Sequence, residues 1–181
     1  MRIINLKMYS RFIYPRLIKD DERFALFHYT ATGFETINRY LRNDWLAKEK
    51  ETIEYIDSAI DKFDFDTSLR TFRTIYSSNK KTYQDILEMC KKGLLYDKAY
   101  TSTSLDDIFG KQNSGFVSPS IKIITYDIFI PSTRKQGVYL PFISFKKDEN
   151  EFLLKRNSLI EVENYEETDN ELNIKGRLLV K

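Results

Sequence analysis

The sequence predicts an α+β domain in which helices come first and strands follow. Two changes of pattern carry this. Apolar residues up to residue 63 repeat at spacings of three and four, whereas from residue 65 onward they alternate and are enriched in β-branched and aromatic types. The two patterns do not take turns along the chain, which argues against a doubly wound sheet. The length of 181 residues and a hydrophobic content of 41% suit one domain, 1–181, with residues 1–20 as a basic extension or helix.

Met1 to Ile18 mixes Ile, Leu, Phe and Tyr with basic residues and fits either an amphipathic helix or a short strand, broken at Pro15. Asp20-Asp21-Glu22 then opens a helix, since acids in the first turn complement the helix dipole. After a break at Thr32-Gly33, Phe34, Ile37 and Leu41 share one helical face, and Trp45 to Phe63 continues as a helix through Ile53, Ile56 and Ile60. Leu69 to Tyr76 reads as a strand, and Tyr83 to Cys90 as a short helix closed by Lys91-Lys92-Gly93. Further strands are expected at Ala99 to Leu105, Ile121 to Pro131, Val138 to Phe145, Glu151 to Leu154, Leu159 to Tyr165 and Leu172 to Val180. Glu167-Thr168-Asp169-Asn170 is the turn before the last of these.

Composition excludes several chemistries. Lys+Arg 29 against Asp+Glu 27 gives a net charge of +2, too small to indicate a nucleic-acid partner by itself. The segment Met1 to Lys19 nevertheless carries Arg2, Lys7, Arg11, Arg16 and Lys19 and no acid, a pattern that suits a solvated basic arm or contact with a phosphate backbone, a membrane surface or an acidic partner. Cys90 and His28 are the sole residues of their types, so an internal disulfide and a zinc site are not expected, and no metal is. The Gly-x-Ser-x-Gly turn of hydrolases is absent. No membrane-spanning run or signal peptide is legible, so the expected location is the cytoplasm of the producing or target cell, or secretion by a signal-independent route.

The chemistry concentrates in three features: Arg73, the run Ser102-Thr103-Ser104, and the pair Glu149 and Glu151. Read as one extended strand, the two glutamates point the same way with α-carbons about 6–7 Å apart, and the mutual repulsion invites a cation. An arginine fork suits a diphosphate, a serine beside a glutamate can orient it, and a carboxylate in a dry cleft stabilises an oxocarbenium-like sugar. Together these suit cleavage of an N-glycosidic bond with a good leaving group, such as nicotinamide in NAD.

The ordered set resembles the mono-ADP-ribosyltransferase exotoxins, the family that includes iota toxin and the Rho-modifying clostridial exoenzymes. The resemblance extends to Ala25-Leu26-Phe27-His28-Tyr29-Thr30, to Ile37-Asn38-Arg39-Tyr40-Leu41-Arg42, and to the stretch from Gly137 to Ser158. It implies a mixed, mainly antiparallel two-sheet β core behind the N-terminal helices. It implies NAD as co-substrate, a target protein carrying an acceptor arginine, and a toxin or effector of phage or bacterial origin. By position, it makes Glu151 the catalytic glutamate, Glu149 the acceptor-side residue, and Ser102 the residue that orients Glu151. It gives Arg73 the diphosphate, sets Thr103 and Ser104 around the nicotinamide ribose, and adds Tyr29, Asn38 and Phe116 as dinucleotide contacts.

Three positions depart from the family pattern. No arginine stands in Val117-Ser118-Pro119-Ser120 just after Phe116, Thr74 stands where a second basic residue is common, and Lys146 rather than an aromatic precedes Glu149 by three. Transfer to nucleic acid, and NAD or protein binding without turnover, are the alternatives these departures and the basic segment leave.

Overall fold

The computed structural model describes residues 5–44, 49–107 and 120–180. The chain starts with a short helical turn α1 (Leu6–Met8), a π-helical turn Tyr9–Ile13 and a 3₁₀ turn Tyr14–Arg16. Pro15 does not break this segment. It sits at the start of the 3₁₀ turn, where its missing N–H costs nothing.

Helix α2 (Asp20–His28) begins where the acidic run predicts. Glu22 is the reason that this start is fixed: it accepts from the Lys19 N–H at 2.7 Å, from Ser58 at 2.6 Å and from Lys62 at 2.6 Å, tying α2 to helix α4 (Lys50–Asp61). Burial pushes the Glu22 pKa up, but the bonds from Lys62, Ser58 and Lys19 outweigh it and hold the carboxyl below its ordinary range.

The break expected at Thr32-Gly33 is instead a π-helical turn, Tyr29–Gly33, that runs directly into α3 (Phe34–Asn43). A Cβ at position 33 would lie 2.8 Å from the His28 ring, so glycine lets the widened turn close. Helix α5 (Lys80–Lys91) starts three residues earlier than its apolar periodicity suggests, because the Asn79 side chain caps it by accepting from the N–H groups of Lys81 and Thr82.

Eight strands hydrogen-bond in the order β2-β7-β8-β4-β1-β3-β6-β5. They are β1 (Leu69–Ser77), β2 (Leu94–Asp97), β3 (Thr101–Ser104), β4 (Lys122–Ile130), β5 (Gly137–Tyr139), β6 (Glu151–Leu154), β7 (Ser158–Glu167) and β8 (Glu171–Leu178). Among the described residues only β4 and β8 pair in parallel, so the core is mixed and mainly antiparallel. β1 pairs with β4 along its whole length but meets β3 at the single position Phe72↔Ser104, which leaves two well-paired groups of strands joined at one point.

The strand expected over Val138 to Phe145 ends at Tyr139. Pro141 cannot donate to a ladder, and the chain turns back instead, with the Ile143 and Ser144 N–H groups both bonding the Leu140 carbonyl at 2.8 and 2.7 Å. The core lies between the helices and this sheet, with Tyr14, Ile56, Ile60, Phe63, Phe152 and Tyr100 fully enclosed.

Candidate active site

The junction between β1 and β3 is also where the chemistry gathers. Strand period places Arg73 beside the pair Phe72↔Ser104, and its Nη1 donates to the Ser102 carbonyl at 2.6 Å. On the far side, β3 pairs with β6 so that Ser104 faces Glu151 and Ser102 faces Leu153. The Thr103 side chain turns inward and bonds the Phe152 carbonyl at 2.7 Å, leaving the two serines on the cleft side.

A cleft of about 400 Å³ opens there, within the range of small-molecule sites. Tyr29, Asn38, Arg73, Ser102, Thr103, Ser104, Glu149 and Glu151 all line it, so eight of the nine expected site residues meet in one place. Phe116, the ninth, lies outside the described residues. Arg73 also lines two further clefts of about 500 and 560 Å³.

The two glutamates reach the cleft by different routes. Glu151 begins β6, but Glu149 belongs to a 3₁₀ turn (Lys147–Glu149), and Asn150 between them is left-handed at φ 44. The strand alternation expected for the pair therefore does not apply. Asparagine tolerates this conformation, and here it is held on three sides: it accepts from the Tyr139 hydroxyl at 2.7 Å, donates to Asp106 at 2.6 Å, and its carbonyl takes the Leu105 N–H at 3.1 Å. Ser104 adds a bond to the Glu149 carbonyl at 2.8 Å, so β3 fixes the loop as well as the strand.

Glu151 is buried, with 6% of its surface exposed. Burial pushes its pKa above the ordinary carboxylate range; the Ser102 hydroxyl counteracts by bonding the ionised form, Glu149 pushes it further up, and Ser144 and Lys146 pull it down. Tyr29, whose hydroxyl accepts from Asn38 Nδ2 at 2.9 Å, is raised well above the usual phenol range by burial and stays protonated. The Asn38 residue lines the cleft, but its Oδ1 atom is itself enclosed and has no hydrogen-bond partner among the described residues.

Two groups escaped the sequence reading. Ser144 is buried and donates to Glu151 Oε2 at 3.4 Å, and it falls in a stretch whose residue pattern predicts a strand. Thr30 accepts the Phe145 N–H at 3.0 Å, fixing the acidic loop against the π-helical turn. Ser144→Ala is expected to move the Glu151 titration to higher pH, read by carboxyl NMR. An unmoved titration would mean that the 3.4 Å contact carries no bond of consequence.

Residues 6–180 match the model of the ADP-ribosyltransferase exoenzyme family. The chain is 31% identical over 151 residues to the NAD(+)–arginine ADP-ribosyltransferase EFV of Enterococcus faecalis, a match covering 81% of this chain but 29% of that protein's length. Among solved structures, it is similar to Plx2a, an ADP-ribosyltransferase toxin from Paenibacillus larvae, with a TM-score of 0.72 at 23% identity over 96% of this chain and 92% of that one. It is similar also to the Vis toxin of Vibrio splendidus, with a TM-score of 0.72 at 21% identity over 97% and 80%. The chain belongs to the ADP-ribosyltransferase exoenzyme family.

Proposed function

We propose that the chain is a NAD-dependent mono-ADP-ribosyltransferase that moves ADP-ribose from NAD to an arginine of a target protein and releases nicotinamide. One observation carries this reading: Glu149 and Glu151 share a cleft with Ser102 and Arg73. The Arg73 guanidinium, anchored on the Ser102 carbonyl, presents its remaining N–H groups to the diphosphate, so the two halves of the dinucleotide lie in adjoining clefts.

Glu151, steadied by Ser102, accepts a hydrogen bond from a nicotinamide-ribose hydroxyl and stabilises positive charge on the sugar as the bond to nicotinamide breaks. The bonding electron pair leaves on the nicotinamide nitrogen. A guanidino nitrogen of the acceptor then bonds the anomeric carbon, and its proton passes to Glu149. No metal takes part in this scheme.

The arginine acceptor is supported by the name of the enterococcal relative and by a Vis structure described as a complex with agmatine, itself a guanidinium compound. Residues 1–181 act in this reading as one transferase domain of a toxin or effector, working in the cytoplasm of a producing or target cell. Incubation with adenylate-labelled NAD and cell lysate is expected to give protein-bound label on arginine by mass spectrometry. Label removed by nuclease would transfer the reading to nucleic acid, and NAD binding without nicotinamide release would reduce the chain to a binding module.

A further inference from the structure

We propose that Lys146 is a tethered occupant of the acceptor subsite, a cation that the acceptor guanidinium must displace from Glu149; this rests on the arginine-transfer reading above. The Lys146 ammonium lies 3.1 Å from Glu149 Oε1, and both residues line the cleft. Its backbone is pinned on the N-terminal side, with the Phe145 N–H bonded to Thr30 at 3.0 Å and the Lys146 N–H to Ser144 at 3.1 Å. The side chain is thus delivered to Glu149 from a fixed base across one 3₁₀ turn.

The chemistry of the two cations makes this a competition. An ammonium is a point charge, whereas a guanidinium takes a carboxylate with a planar pair of donors, so an acceptor held in register by other contacts outcompetes the lysine. An acceptor lacking those contacts faces a competitor present at the high effective concentration of a tether. Lys146 therefore acts as a filter against weakly held guanidines. The pair is half-exposed, with 57% of the lysine and 36% of the glutamate side chain accessible, so solvent screening keeps the effect modest.

The test is the steady-state KM for agmatine in the intact protein, with nicotinamide release measured alongside. Lys146→Met is expected to lower the agmatine KM about threefold to fivefold. Lys146→Arg keeps the cation and is expected to leave the KM at or above that of the parent. An agmatine KM that is unchanged or higher in Lys146→Met, in a parent protein that does transfer to agmatine, would overturn the filter and leave the arginine-transfer reading standing. Nicotinamide release with no agmatine adduct from either parent or variant would overturn both.

Discussion

Glu151→Gln is expected to lower nicotinamide release by about 10³-fold while leaving the protein folded, because it deletes the one carboxylate positioned to stabilise charge on the ribose. It is also expected to raise the melting temperature at pH 7. Burial lifts the Glu151 pKa above its ordinary value, so the folded state binds this proton more tightly than the unfolded chain does. The group's contribution to stability is complete below its unfolded pKa and is lost as pH rises through the folded one. At neutral pH the buried charge therefore costs stability, and a glutamine removes that cost while keeping partners for Ser102 and Ser144. The gain should shrink as the pH is lowered into the carboxylate range. A lower melting temperature for Glu151→Gln at pH 7 would mean that the serine bonds to the ionised form outweigh burial.

Glu149→Gln is expected to separate the two halves of the reaction. Transfer to a guanidinium should fall by about 10²-fold to 10⁴-fold, the range for loss of a general base, whereas hydrolysis of NAD by water should persist. The difference follows from position: Glu151 is buried on β6, and Glu149 stands on the turn at the mouth of the cleft. A second readout comes from the charge itself. Glu149 is one of the groups holding the Glu151 pKa up, so its neutralisation should move the acid limb of the hydrolysis profile to lower pH. Equal loss of hydrolysis and transfer would contradict this division of labour.

The parts of the site that were legible in the sequence are those fixed by strand period. Arg73 and the Ser102-Thr103-Ser104 run sit on strands whose alternation is clear, so their faces follow from counting residues. Glu149 is legible as a residue but not as a geometry, since a 3₁₀ turn closed by a left-handed asparagine leaves little local signature. Asn150 offered the one hint, being a residue type that adopts that conformation readily. Ser144 is masked by the alternation of Val138 to Phe145, although Pro141 inside that stretch is a signal for the strand to end. The start of α5 was written in Asn79, a good N-cap, and was missed by following apolar spacing alone. Strand β2 carries four residues without a clear alternation and, among the described residues, pairs only with β7, a contact that sequence does not announce.

The same distinction separates the two cations of the site. Arg73 declares itself through its strand, whereas the pairing of Lys146 with Glu149 depends on a turn that brings residues three apart together. The junction of β1 with β3 is a tertiary fact of the same kind: one register pair leaves room for a cleft where a fully paired ladder would have closed it.

The most direct measurement is the fate of NAD supplied with agmatine and the intact protein, followed by mass spectrometry of all products. The account predicts nicotinamide and ADP-ribosyl-agmatine rising together, with the adduct lost in Glu149→Gln and both products lost in Glu151→Gln. Intact NAD after incubation with the folded parent protein would contradict it.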